Sequence, residues 1–258
     1  MMLERRGIVI TGGGRGIGAA VARAVAAAGG SVVLAARTEA EVRETAAVLT
    51  AGGHAAWPVV CDVTQPDDVA RLATRAADLL GSVDVLVNNA GVAHSAPLAK
   101  IDLEDWNRLF AVNATGTFLC TQALLPGMIA RGWGRVVNIA SVAGLSGARY
   151  IAAYAAAKHA VIGFTRSVAA EVAAGGVTVN AVCPGYVDTA MTTASVNRIA
   201  SATGRTTAAA REAILQTTPQ HRLIAPDEVA HAVLALCDHG ARGINGQCIV
   251  LDGGGLLA

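Results

Sequence analysis

The run Gly7-Ile8-Val9-Ile10-Thr11-Gly12-Gly13-Gly14-Arg15-Gly16-Ile17-Gly18, leading into an alanine-rich stretch that ends near Ala28, decides the fold. Its first part is short and apolar, as a strand buried on both faces must be, and its last part opens a segment with helical period. Between them glycine lets the backbone turn sharply and approach an anion closely, while the free N–H groups and dipole of the helix favour a pyrophosphate. A glycine-rich turn by itself is also a common structural turn. Its place between a strand and a helix, at the start of a βαβ unit, makes Gly12, Gly14, Arg15, Gly16, Ile17 and Gly18 a candidate phosphate cradle. The spacing Gly-x-x-x-Gly-x-Gly has one step more than the Gly-x-Gly-x-x-Gly fingerprint.

Working outward, apolar β-branched runs recur at Gly7–Ile10, Ser31–Ala35, Ala56–Cys61, Val83–Val87, Arg135–Ile139, Val177–Val182 and Cys248–Leu251. Helix-period segments lie between them at Ile17–Ala28, Glu39–Ala51, Pro66–Leu80, Leu103–Arg131, Tyr154–Ala173 and Pro226–Cys237. Strict alternation implies a single α/β domain over residues 1–258: a Rossmann-type, doubly wound parallel sheet of about seven strands with helices on both faces. The segment from about 186 to 225 breaks the rhythm. It is rich in Thr, Ser and Ala, holds no convincing strand, and reads as a lid over the crevice beyond the strand ends.

Composition supports one large folded unit. The 258 residues are 53% hydrophobic, 15% charged and 3% aromatic, which excludes intrinsic disorder and implies a core of Ala, Val, Leu and Ile. Twenty basic against 19 acidic residues give a net charge of +1, too balanced for an electrostatic nucleic-acid surface, so a small-molecule partner is expected. The five cysteines, Cys61, Cys120, Cys183, Cys237 and Cys248, stand singly, with neither CxxC pairs nor His at ligand spacing. They read as reduced thiols, and no metal site is expected. The N-terminus lacks the apolar core of a signal peptide, and Arg23 interrupts the apolar stretch from Ala19 to Ala28. The expectation is a cytoplasmic protein that spans no membrane.

The strand ends then specify a ligand. After the second strand an NAD site offers Asp or Glu to the ribose 2′-hydroxyl, but this chain has Ala35-Ala36-Arg37. Arg37 and Arg15 are placed to neutralise a 2′-phosphate, so NADP(H) is preferred and NAD(H) remains possible; two solvated surface arginines are the plain alternative. Asp62, followed by Val63, is placed to hold an adenine amino group, or else to cap the helix that begins near Pro66. Asn89, Ala90 and Gly91 close the fourth strand, their amides bridging strand ends or meeting the cofactor ribose.

At the other end of the crevice, Tyr154 and Lys158 lie one turn apart on one face of a helix. A phenol is a poor acid or base at neutral pH, and a neighbouring cation is expected to lower its pKa toward the working range. Such a pair arises often by chance, but Ser141, at the end of the strand Val136-Val137-Asn138-Ile139, offers a second hydrogen bond to the same oxygen. Asn113, in Ala111-Val112-Asn113-Ala114-Thr115-Gly116, sits mid-helix where neither Asn nor Gly favours a regular helix, and its amide is expected to hold a water in a bend.

With TGGGRGIG, NNAG after strand four, Asn113, Ser141, the Tyr154 and Lys158 pair, Pro184-Gly185 and Asp252-Gly253-Gly254, the chain resembles the classical short-chain dehydrogenase/reductase family over essentially its whole length. The resemblance implies a catalytic tetrad: Tyr154 as general acid/base, Ser141 polarising the carbonyl, Lys158 holding the nicotinamide ribose and tuning Tyr154, and Asn113 anchoring a relay water. It adds Pro184, Gly185, Val187 and Thr189 to the cofactor contacts, and it implies a homotetramer built from helix pairs and C-terminal strands, with Leu256-Leu257-Ala258 suited to an interface.

The finer pattern looks like two branches, the polyketide and acyl-thioester ketoreductases and the 3-hydroxybutyrate dehydrogenases. The second branch grips a carboxylate with polar residues at the positions of Ala93, Ala143 and Ile151, all apolar here, and a buried carboxylate without a donor is costly. A bulkier ketone or 3-oxoacyl thioester is expected, with Ser141, Ala143, Leu145, Tyr150, Tyr154, Tyr186 and Met191 around it. His94 is read as a hydrogen-bonded loop histidine before a substrate contact. The alternatives are an NAD-dependent catabolic dehydrogenase of secondary alcohols or 3-hydroxyacyl-CoA, and a dinucleotide-sensing scaffold without activity.

Overall fold

The computed structural model describes residues 2–256. Seven parallel strands run in the order β3-β2-β1-β4-β5-β6-β7. They are β1 (Gly7–Thr11), β2 (Ser31–Ala36), β3 (Ala56–Val60), β4 (Val85–Asn88), β5 (Gly134–Ile139), β6 (Val177–Pro184) and β7 (Cys248–Leu251). The order reverses between β1 and β4, and a ligand crevice opens there beyond the carboxyl ends of the strands.

Every residue of β1, β4, β5 and β6 is buried, which is why these runs carry almost no polar alternation. Successive side chains go to opposite faces. Ile8 and Ile10 join a core with α1 (Gly16–Ala27), α2 (Glu39–Ala51) and α9 (Pro226–Cys237). Val9, between them, joins the other core, with α3 (Pro66–Leu80), α5 (Gly116–Ala130) and α6 (Ala152–Val172). Pro58 falls on β3, an edge strand, where proline costs no ladder bond on its free side.

The expected helix from Leu103 to Arg131 is two helices. Helix α4 (Leu103–Phe110) meets α5 through a π-turn at Ala111–Thr115, so the bend read from Asn113 is a change of helical pitch. Leu103–Ala130 is the one helical stretch among the described residues long and apolar enough to cross a membrane, at mean hydropathy 1.2, and 44% of it is buried within the fold. The fourth strand begins at Val85 and not Val83, because the Asp84 carboxylate accepts from the Gly7 N–H at 3.0 Å.

The segment from 186 to 225 contains no strand and folds as α7 (Ala190–Thr203) and α8 (Thr207–Leu215), its two ends joined to each other by an isolated bridge of Val187 with Ile224. Of the C-terminal tail, Leu257 and Ala258 lie outside the described residues.

Candidate active site

The glycine turn is shaped by clearances that only glycine allows. Gly12 and Gly16 have φ of +63° and +53°. A Cβ on Gly18 would stand 2.2 Å from the Gly12 oxygen, so helix α1 approaches the turn as closely as backbones can. Thr11 and Asn89 fasten the cradle from β4: Asn89 Nδ2 donates to the oxygens of Thr11 and Gly12 at 3.0 Å each, and the N–H groups of Asn89 and Ala90 donate to Thr11 Oγ1. The Asn89 side-chain nitrogen is thereby committed to bridging the strand ends. No side chain caps the first turn of α1 and no acid lies in it, which leaves its N–H groups and positive dipole end for an anion. The Thr189 methyl carbon stands 3.3 Å from where a Gly16 Cβ would lie, bringing the start of α7 over the cradle. These features fit a dinucleotide pyrophosphate.

At the far end of the cradle both arginines have carboxylate neighbours. Arg15 Nη1 lies 3.2 Å from Glu41 Oε1, and Arg37 Nη1 lies 3.9 Å from Asp62 Oδ2. Glu41 comes from α2, whose backbone packs on Gly14, so the carboxylate missing at the end of β2 is supplied from elsewhere. Exposed pairs of this kind contribute about 0–1 kcal/mol, little enough for a phosphate dianion to displace the carboxylate. Asp62 makes no cap on α3: its Oδ1 accepts from Thr64 N and Oγ1. Val63 packs against Gly116.

The chemical end joins four elements. Ser141 follows β5 in extended conformation, its Oγ accepting from the Ala143 N–H at 3.1 Å. Tyr154, half-buried in the first turn of α6, carries its hydroxyl close enough to the Ser141 side chain for that group to act on the phenol's pKa. One turn on, Lys158 is 5% exposed; its Nζ donates to the Ile139 oxygen at 2.8 Å and lies 5.9 Å from the Tyr154 ring centre. Asn113 arrives on the π-turn, its Oδ1 accepting from Val92 N at 3.1 Å and its Nδ2 donating to Val92 O at 2.9 Å. A Cβ on Gly91 would lie 3.0 Å from Asn113 Oδ1 and 3.8 Å from Lys158 Nζ, so glycine lets the NNAG loop pass between them. All four expected catalytic residues therefore converge. Both ends of the Asn113 amide pin the loop at Val92, using one of its two N–H groups and one of its two oxygen lone pairs.

One expectation is corrected. Tyr154 is not lowered toward neutrality: burial raises it above the ordinary phenol value, the Ser141 side chain opposes that, and the Tyr186 phenol adds to it. Burial lowers Lys158 from 10.5 to about 8. The reason is directional, since the ammonium points at a main-chain carbonyl and not at the phenol.

Around this centre Ala143 is buried, while Tyr150, Tyr186 and Met191 keep large exposed faces. Tyr150 is held in a left-handed conformation at φ +69°, and its main-chain carbonyl oxygen accepts from Ala96 N at 2.8 Å. Leu145 instead packs into the cluster of Ala140, Val161, Ile162 and Cys183. His94 Nε2 lies 3.2 Å from Asp105 Oδ2, as the loop-histidine reading had it. Pro184 ends β6, and Gly185 sits against Asp252, where a Cβ would come within 3.0 Å. Sequence reasoning missed Thr11, although a hydroxyl directly before a glycine turn is a signal, and Cys183, buried on β6 beside the end of β5 that leads into Ser141.

The family model of short chain dehydrogenase matches residues 6–200. D-beta-hydroxybutyrate dehydrogenase of Rhizobium meliloti is 38% identical over 251 residues, 95% of this chain and 96% of that protein. The 3-oxoacyl-[acyl-carrier-protein] reductase of Synechocystis is 41% identical over 248 residues, 95% of each. Among solved structures, a variant of actinorhodin polyketide ketoreductase with NADPH superposes with a TM-score of 0.93 at 37% identity, covering 96% of this chain and 95% of that one.

Proposed function

From the premise that the chain belongs to the short-chain dehydrogenase family and is an oxidoreductase, we propose that it reduces a bulky ketone or 3-oxoacyl thioester to its secondary alcohol with NADPH. The observation that carries this is the convergence of Tyr154, Lys158 and Ser141 where α6 meets the end of β5, with burial holding the phenol above its ordinary pKa. A phenol that keeps its proton at neutral pH is an acid ready to donate to a developing alkoxide.

The cradle from Gly12 to Gly18 would hold the pyrophosphate, Arg15 and Arg37 the 2′-phosphate, Asp62 and Val63 the adenine, and Gly91, Lys158, Pro184, Gly185, Val187 and Thr189 the nicotinamide half. When bound, the reduced nicotinamide supplies a hydride to the carbonyl carbon. The chain's own residues do the rest. Ser141 and Tyr154 present two hydroxyls to the carbonyl oxygen, so negative charge that develops there meets fixed dipoles in a site shielded from water. Tyr154 gives up its proton to that oxygen. Lys158, tied to Ile139, fixes the helix that carries Tyr154 and faces the space between Gly91 and the phenol. Asn113 holds the NNAG loop through Val92. Helices α7 and α8, with Tyr186 and Met191, act as the lid.

The apolar Ala93, Ala143 and Ile151 support a neutral ketone over a small free acid, since none of them offers a donor to a carboxylate. A second reading, oxidation of a secondary alcohol or 3-hydroxyacyl-CoA with NAD, draws on Glu41, whose carboxylate stands where ribose hydroxyls would seek an acceptor. Steady-state rates on a panel of ketones and acyl thioesters with NADPH and NADH, read by nicotinamide absorbance, test the proposal. Turnover faster with NADPH on bulky ketones supports it, and strong preference for NADH selects the second reading. We place the protein in the cytoplasm as a homotetramer; the exposed Phe118 and Ile129 of α5 and Val250 of β7 are apolar surfaces that association would cover.

A further inference from the structure

We propose that Asn88, Asn138 and Thr165 are positioning residues of the reaction: through a buried chain of hydrogen bonds they hold the helix of Tyr154, the strand before Ser141 and the π-turn of Asn113 in one register. The inference rests on the reading of Tyr154 as proton donor. The chain starts at the π-turn, where Thr117 Oγ1 donates to the Asn113 main-chain oxygen at 2.8 Å and Thr121 Oγ1 donates to that of Thr117 at 2.7 Å. Asn88 Nδ2 then donates both to Thr121 Oγ1 at 2.9 Å and to Asn138 Oδ1 at 2.8 Å. Asn138 Nδ2 donates to Thr165 Oγ1 at 2.8 Å, and Thr165 Oγ1 ends the chain on the Val161 main-chain oxygen at 2.7 Å. Asn88, Asn113, Thr117, Thr121, Asn138 and Thr165 are all buried.

This chain crosses an otherwise apolar layer. Asn88 and Asn138 stand opposite each other on β4 and β5, on the face that Leu86 and Val136 share, and that face packs into the core of Cys120, Leu124 and Ala169. Apolar side chains of the same shape would pack there as well, because buried polar groups are costly and their bonds only offset that cost. What the polar atoms add is direction. An apolar helix slides over an apolar sheet with little change in contact, whereas each of these bonds accepts one register, and a slip strands a buried donor or acceptor. The sense of every link is fixed: Thr121 and Thr165 each spend their one proton on a carbonyl, so Asn88 and Asn138 meet them as donors. Asn88 gives both N–H groups to the chain although its buried Oδ1 has no donor among the described residues, so the network sets its orientation.

Both ends of the chain adjoin the chemistry. Asn138 directly precedes Ile139, whose oxygen holds Lys158, and Ser141 follows three residues after Asn138. Thr165 lies two turns beyond Lys158 on the same side of α6, so that helix is tied to β5 at two levels. At the other end the chain takes the main-chain oxygen of Asn113, whose amide holds the NNAG loop at Val92. A misplacement of about 1 Å among reacting groups costs about 100-fold in rate, so a register lock of this kind acts on turnover and not only on stability.

The test compares Thr165→Val, which keeps the shape and removes the hydroxyl, with Thr165→Ser, which keeps the hydroxyl and removes the methyl. Both are expected to lower Tm. On whichever ketone the panel identifies, Thr165→Val is expected to lower kcat at least about tenfold with KM for ketone and NADPH within about twofold, while Thr165→Ser retains kcat. A second readout needs no substrate: hydrogen exchange in Thr165→Val is expected to quicken at the π-turn and in the segment after β5, beyond its level in Thr165→Ser. Normal kcat in Thr165→Val, or an equal loss in Thr165→Ser, would mean that the hydroxyl serves packing alone and overturns the proposal. An unsubstituted enzyme that turns over no ketone refutes the ketoreductase reading instead, and the exchange pattern then decides the network: quickening confined to those two segments supports it, and uniform or absent quickening overturns it.

Discussion

Lys158 Nζ donates to the main-chain oxygen of Ile139 at 2.8 Å, so the helix that carries Tyr154 is tied to the strand that runs into Ser141. The two hydroxyls of the site are thus set by one buried ammonium. Lys158→Met removes the tie: it relieves a desolvated charge and orphans a carbonyl, opposing effects of about 1–3 kcal/mol each. Calorimetry is expected to show a small change in Tm, while kcat/KM falls by about 100-fold or more. A Lys158→Met enzyme with normal kcat/KM would deny the lysine any positioning role.

The same burial sets the response to pH. Lys158 sits at about 8 in the fold against 10.5 when free, so between those values the unfolded chain binds more protons and stability rises with pH. Cys61, Cys120, Cys183 and Cys237 are pushed from 9.0 to about 12, so above pH 9 the native state keeps protons the unfolded chain has lost, and stability falls. Urea midpoints are expected to be highest at about pH 8–9. Lys158→Met should keep the alkaline fall and lose the rise before it; an unaltered rise would show that another group titrates there.

Gly18→Ala places a methyl 2.2 Å from the Gly12 oxygen, a contact that backbone on both sides makes hard to relieve. Overpacking of this kind costs about 1–3 kcal/mol and pushes the helix off the turn. Titration with NADP is expected to show affinity reduced by about tenfold or more along with a lower Tm. Full affinity in Gly18→Ala would mean that the dinucleotide does not use this turn.

Arg15 and Arg37 are themselves exposed and pair with half-buried carboxylates at 3.2 and 3.9 Å, which leaves their guanidinium groups able to turn to a phosphate. Replacing both with Ala is expected to lower kcat/KM with NADPH by about 100- to 10,000-fold and to leave NADH nearly unchanged, since each lost charged hydrogen bond is worth about 1.5–3 kcal/mol. Equal losses with both cofactors would remove the 2′-phosphate from the account. Glu41→Gln, which frees Arg15, should move the ratio toward NADPH.

Features fixed by local period or spacing were legible in the chain. The glycine turn, the alternation that builds the sheet, the Tyr154 and Lys158 spacing and the Asn113 bend each follow from residues near one another in sequence. What was not legible comes from elements that meet only in three dimensions. Glu41 reaches Arg15 because α2 packs on Gly14; Thr11 is bonded by β4; Cys183 lies under Ser141 because β5 and β6 are neighbours. The direction of the Tyr154 pKa belongs to the same class. Spacing places a cation one turn away, but burial and the Ile139 carbonyl decide what that cation does. The helices α7 and α8 escaped notice because Thr and Ser dilute their apolar period.

The most direct test of the account is turnover of the ketone panel by Tyr154→Phe, which removes one oxygen and leaves the ring. With NADPH in excess, kcat is expected to fall by about 100- to 10,000-fold, with NADPH affinity and Tm close to those of the unsubstituted enzyme. Turnover by Tyr154→Phe equal to that of the unsubstituted enzyme would contradict the assignment of Tyr154 as the proton donor.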